Sequence, residues 1–343
     1  MYKFPFVALQ QWAPFKIDAL GLVTILGASQ ADMVLGQLTR NYLTEWLPLL
    51  GAYVIADNSI TNPLPGFSLY NITDGILATD LAGWFARWLL CQDLSFCSST
   101  IYISPIVAST SRRQRLRRDI CSHSLGVLTL IPMVLSILIG DWWGLANSIS
   151  MLASVVVRRI ILEQNRRAID LAVDESEKTS CEEVKVFVTL PNGKAVAIRT
   201  TRGIVIDCLL TTPRPPNLKR YTASRAVGWF AFGCHIISLG MSSLVCQLVA
   251  VILLICPTVL VAWQIGMDRS QVGRKLAFSR DDAQVPFRAA AYARLDLTPE
   301  QEESLVKWNL APHRSNKLWW DKYRNVKALR NFESWDTILG KSR

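Results

Sequence analysis

The chain has 343 residues, half of them hydrophobic and 19% charged, and a formal net charge of +10. An apolar share this high, gathered into several long uncharged runs, excludes an ordinary soluble domain. Such a charge would point to nucleic acid in a soluble protein. Here the Lys and Arg residues cluster beside the apolar runs, so the expected partners are the lipid bilayer and its anionic headgroups, with no nucleic acid.

In chain order, residues 1–15 form an aromatic, proline-bearing arm with no cleavable signal pattern. Residues 17–38 are a candidate span despite Asp18 and Asp32, and 43–56 are too short to cross. Residues 58–71 are rich in turn signals and end at the sequon Asn71-Ile72-Thr73, a glycosylation site if the predicted loop 39–73 is luminal. Residues 74–91 form the next candidate span, with Asp80 and Arg87 two helical turns apart on one face, turned to the bundle interior. The short run 101–108, interrupted by Pro105, is read as cytoplasmic or interfacial.

The centre of the chain is a hairpin. Two uncharged runs, 124–140 and 142–157, are separated by Asp141 and closed at both outer ends by arginines, including Arg117, Arg118, Arg158 and Arg159. At about 1.5 Å per helical residue each run can cross a bilayer core about 30 Å thick. Positive flanks stay in the cytoplasm, so the chain passes out and back, with Trp142 and Trp143 as interfacial aromatics at the turn.

Residues 163–224 change character. Alternating β-branched residues around Asn192-Gly193 predict a β-hairpin, with a third strand after Gly203. A last apolar pair follows at 226–241 and 244–263. The tail opens a helix at Thr298-Pro299-Glu300-Gln301, an N-cap with a capping box. The expected fold class is an all-α integral membrane helical bundle of about six transmembrane helices, with a small cytoplasmic β-hairpin insert and a helical cytoplasmic tail. Its parts are 1–110, 111–162, 163–224, 225–264 and 265–343.

The chain has no phosphate-binding loop, dinucleotide fingerprint or zinc-protease motif, and its eight cysteines form no CxxC pair. No cofactor or metal is expected, and the cysteines are read as free thiols. Ionisable residues at membrane depth are then the functional candidates. A carboxyl among apolar groups holds its proton to higher pH, and aromatic faces shelter cations. Asp141 and Asp80 are therefore candidate proton donors, with Trp142, Trp143 and His235 as substrate-binding residues. The bland readings are a turn cap for Asp141, belt residues for the tryptophans and a packing role for His235.

Several segments resemble fungal polytopic integral membrane proteins: GDWWGLANSISMLASVVVRRIILEQNRRAID, TLPNGKAVAIRTTRGIVIDCLLTTPRPP, RAVGWFAFGCHIISLGM and AYARLDLTPEQEESLVKW. A fainter likeness, in size and membrane character alone, is to membrane-bound terpene cyclases of fungal meroterpenoid pathways. That resemblance implies metal-independent, acid-initiated cyclisation of a lipophilic isoprenoid substrate in an endoplasmic reticulum or other secretory-pathway membrane. The rival expectations are a non-catalytic scaffold or anchor for pathway enzymes and a small transporter.

Overall fold

The computed structural model describes residues 4–14, 28–51, 53–94, 99–106, 112–282 and 288–328. Half of the expected span 17–38, residues 17–27, lies outside them, and the described half holds a nine-residue helix, Ala28–Gly36. Two compact units share the chain: 1–62, 107–169 and 214–274 make the first, and 63–106, 170–213 and 275–343 the second.

The second unit is built on strands. β2 (Ser68–Asn71), β3 (Ile76–Ala78), β4 (Ser99–Pro105), β5 (Glu183–Thr189), β6 (Ala195–Thr201) and β8 (Leu276–Asp282) lie in the order β8-β4-β6-β5-β2-β3. Every pairing among them is antiparallel except β4 with β6. The β5–β6 hairpin forms as the alternation predicts, with Gly193 at φ +77° supplying the left-handed turn residue. Both faces of β5 are buried: Val184, Val186 and Val188 on one, Phe187 on the other. Phe187 and Ala197 pack into a core with Tyr292, Leu295, Leu305, Trp320 and Tyr323.

These strands overturn the all-α expectation. The eight strands among the described residues include β1 (Thr39–Asn41) and β7 (Met267–Val272), an antiparallel pair in the first unit. The physical reason is that β2 and β3 are too short to carry a periodic signal of their own, while β4 and β8, as long as β5 and β6, pair with each other from distant parts of the chain. β2 likewise finds a backbone partner far away in sequence, as Ser68 does at Thr189. The expected third strand after Gly203 is instead helical, Arg202–Ile204 running into a π-turn, Val205–Leu210.

Two other expectations fall with it. Residues 74–91 are not a span: they hold β3 and a nine-residue helix, α2 (Gly83–Cys91; the earlier Ala28–Gly36 is α1), and all of α2 but Leu90 is buried. Trp88 of α2 stacks on Phe278 of β8 with ring centroids 4.2 Å apart. The luminal placement of 39–73 against a cytoplasmic 163–224 also fails. β2 is hydrogen-bonded to β5, and paired strands lie on one side of any bilayer.

Among the described residues three helices are long and apolar enough to cross a membrane, where six spans were expected of the whole chain. They are α3 (Ile120–Ile139), α4 (Trp142–Thr179) and α6 (Leu244–Ala262). α5 (Leu218–Met241) lies beside them in sequence but begins with Lys219, Arg220 and Arg225, which lower its mean hydropathy. After β8 the tail forms α7 (Arg288–Arg294), α8 (Pro299–Lys307) and α9 (Lys317–Ala328). Thr298 caps α8 in the capping box read from the sequence.

Candidate functional site

The α3–α4 turn is made by Gly140 and Asp141. Gly140 takes φ +81° and its N–H bonds to the Ser136 and Ile137 carbonyls, closing α3. Asp141 then caps α4: its Oδ1 accepts the Gly144 N–H at 2.9 Å. Its Oδ2 accepts the Ser243 N–H at 2.7 Å, and Ser243 is the N-cap of α6. One carboxylate thus joins the α3–α4 turn to the α5–α6 turn. Burial pushes the Asp141 carboxyl up, but the N–H groups of Gly144 and Ser243 more than reverse this and hold it below the ordinary carboxylate range. A proton donor needs the opposite shift. Gly144 is required by closeness, since a Cβ there would lie 2.8 Å from Ser136 Oγ and 2.9 Å from Cys246 Sγ.

Trp142 and Trp143 are 70% and 47% exposed, so their faces turn outward rather than into a substrate chamber. Trp142 meets Phe4 edge-on, with ring centroids 6.5 Å apart. Asp80 is exposed, whereas Arg87, its expected partner, is buried and donates to the Gly83 carbonyl. His235 is buried with an unpartnered Nδ1. It lines a cavity of about 30 Å³ with Met151, Ser154, Phe232 and Leu254, room for a water or two. Asn71 is buried, and the amide nitrogen that a glycan would join donates to Asp74 Oδ2 at 2.7 Å. The sequence-predicted site residues therefore do not converge.

What the first unit brings together is basic. Arg158 and Arg166 of α4 are buried and grip the segment before them. Arg158 Nη2 donates to the carbonyls of Thr44, Glu45 and Leu47 at 3.0, 3.0 and 2.6 Å. Arg166 donates to the Leu38 and Thr39 carbonyls and to Glu45 Oε1 at 2.8 Å. Burial would raise the Glu45 carboxyl, but Arg166, with Arg159 and Arg40 behind it, holds it below its usual range. These contacts fix Trp46, whose ring carries the Arg159 guanidinium 4.1 Å from its centroid and the His123 ring at 5.2 Å. Gly126 leaves the room: a Cβ there would lie 2.8 Å from Trp46 Cβ.

Beside Trp46 opens a cavity of about 520 Å³. Five arginines line it, from β1 (Arg40), α4 (Arg159, Arg167), α5 (Arg220) and the turn after β7 (Arg274). Glu163 is the single carboxylate in the lining among the described residues, and Arg40, Arg167 and Arg274 crowd it at 3.5, 3.3 and 3.5 Å. Arg220 is exposed and makes no ion pair among the described residues. The Trp46 Nε1–H and Arg40 Nε–H are buried donors without acceptors, and Gln164 Oε1 is a buried acceptor without a donor. Sequence reading assigned Arg159, Arg167, Arg220 and Arg274 to membrane flanks and did not single out Arg40, and no local pattern ties Arg40 to Arg159, Arg220 and Arg274. No family model matches the chain, and comparison with curated proteins and with solved structures finds no similar one.

Proposed function

We propose that this chain is a polytopic membrane anchor, a non-catalytic scaffold that tethers a strand-built unit to one face of a bilayer. The observation that carries the reading is topological. The segments 107–169 and 214–274 each leave from and return to one sheet, because β4, β5, β6 and β8 are mutually connected by backbone pairing. A segment whose two ends lie on one side of a membrane crosses it an even number of times. In the first segment α3 and α4 provide the two passes. In the second, α6 is one pass and α5 is its necessary partner. Large apolar side chains cover the outside of α5: Val227, Phe230, Ile237 and Met241 are 51%, 75%, 63% and 60% exposed. Asp141 binds the two hairpin turns together, as two parallel hairpins with their tips at one end require. The arginine-rich ends mark the side of the sheet as cytoplasmic.

A cyclase instead requires an enclosed apolar chamber with an acid directed into it. The apolar cavity at His235 has about 30 Å³, and neither Asp141 nor Asp80 lines it. The test places a spacer-flanked Asn-Xaa-Thr acceptor either in the Asn192–Gly193 turn or between Ser242 and Ser243, in microsomes. Glycosylation at the second position alone is the expected result, and modification at the first overturns the topology. Feeding the same microsomes linear and epoxidised prenylated phenols is expected to yield no isomer by mass spectrometry. A new isomer that disappears in Asp141→Asn would replace the anchor by a cyclase.

A further inference from the structure

We propose that the basic cavity of the first unit is a binding site for a phosphate group, carried as a phosphomonoester or a diphosphate. The inference stands on geometry inside that unit and does not depend on the number of membrane passes.

The charge balance is the first argument. Among the ion pairs of the described residues, Glu163 and Glu45 face this cluster, and Glu45 is already held by the buried Arg166 at 2.8 Å. Glu163 is shared by three guanidinium groups. Among the described residues, Arg159 has only the distant edge of Glu45 at 3.6 Å, and Arg220 has no carboxylate. Like charges drawn into one concave site repel more strongly than on open surface, because the walls have a low dielectric constant. An anion of charge near −2 relieves that repulsion, and a carboxylate, with half the charge, relieves less of it.

The second argument is donor geometry. Arginine forks bind phosphate oxygens in pairs, and several forks from different elements surround a tetrahedral group better than a planar one. The Arg159–Trp46 stack fixes one guanidinium plane before any ligand arrives. The third argument is size. About 520 Å³ lies within the range of ligand pockets, about 300–1,000 Å³, and exceeds what one phosphate fills, so the site takes the phosphate of a larger molecule.

The decisive measurement is calorimetric titration of the full chain in nanodiscs of zwitterionic lipid. The probes are inorganic phosphate, pyrophosphate and soluble dihexanoyl phosphatidate, with sodium acetate as a monoanion control. Saturable binding of the phosphate probes, with acetate at least about tenfold weaker, is the expected result. Arg220→Gln removes a charge with no ion pair to disturb and should weaken binding about tenfold. Glu163→Gln removes the competing carboxylate and should tighten it, the opposite of what a merely structural loss would do. Arg214→Gln, an exposed arginine outside the lining, should leave binding unchanged. Tight binding of pyrophosphate assigns the site to a soluble phosphate ligand. Binding of phosphatidate alone assigns it to a lipid headgroup. Absence of saturable binding by every phosphate probe, or affinities that ignore both Arg220→Gln and Glu163→Gln, overturns the proposal.

Discussion

Asp141 spends one carboxylate oxygen on the first turn of α4 and the other on the N–H of Ser243, the residue before α6, so its loss uncaps α4 and unties the turn between α5 and α6. Asp141→Ala should cost about 2–3 kcal/mol, a lost cap together with a backbone N–H left without its acceptor, read as a lowered thermal midpoint in detergent. Arg158→Leu takes the guanidinium donor from the carbonyls of Glu45 and Leu47 in a buried place and leaves the Thr44 carbonyl only the Leu47 N–H. A loss of about 3 kcal/mol or more is expected by the same measurement. In the second unit the hydrogen bonds from Arg202 hold Asp74 below the ordinary carboxyl value, with the Asn71 amide adding to the effect and burial opposing it. A lowered folded value means that Asp74 contributes stability above its unfolded value and loses it as pH falls through the folded one. Near-ultraviolet circular dichroism of unfolding, followed from about pH 5 to about pH 2, should show this acid limb flattened in Asp74→Asn.

Among the elements, the β5–β6 hairpin and α8 were fully legible. Each rests on a local rule: alternation around Asn192-Gly193, and a capping box at Thr298 with Gln301. Phe187, on β5, is buried against Tyr292 with ring centroids 5.0 Å apart. Phe187→Ala should cost about 3–5 kcal/mol, seen as a shift in the chemical denaturation midpoint. The other strands were not legible. β4 reads as a short apolar run ending at Pro105, and only its parallel partner β6 and antiparallel partner β8 make it a strand. α2 misled for a related reason: a buried helix and a membrane helix have the same composition, and length alone separates them.

At the scale of the whole molecule, backbone pairing constrains passage through a membrane more tightly than hydropathy does. α5 falls short as a span by composition, yet in the proposed topology the return of the chain from β6 to β8 gives it the role of partner to α6. Phe230→Lys, at the most exposed position on the apolar face of α5, should sharply reduce the carbonate-resistant membrane fraction. An unchanged fraction would mean that α5 lies outside the bilayer.

The sequence by itself determined the apolar runs of α3, α4 and α6, the tight turn at Gly140-Asp141, the β5–β6 hairpin and the α8 cap. All of these depend on composition or on residues within a few positions of one another. Only the tertiary structure decided that Asn71 is buried, that β2 and β5 share one side of any membrane, and that Asp141 ties the α3–α4 turn to the α5–α6 turn. It also decided that Arg40, Arg159, Arg220 and Arg274 line one cavity. Each of these depends on partners brought together from distant parts of the chain, and pairing at such range leaves no periodic trace in the residues themselves.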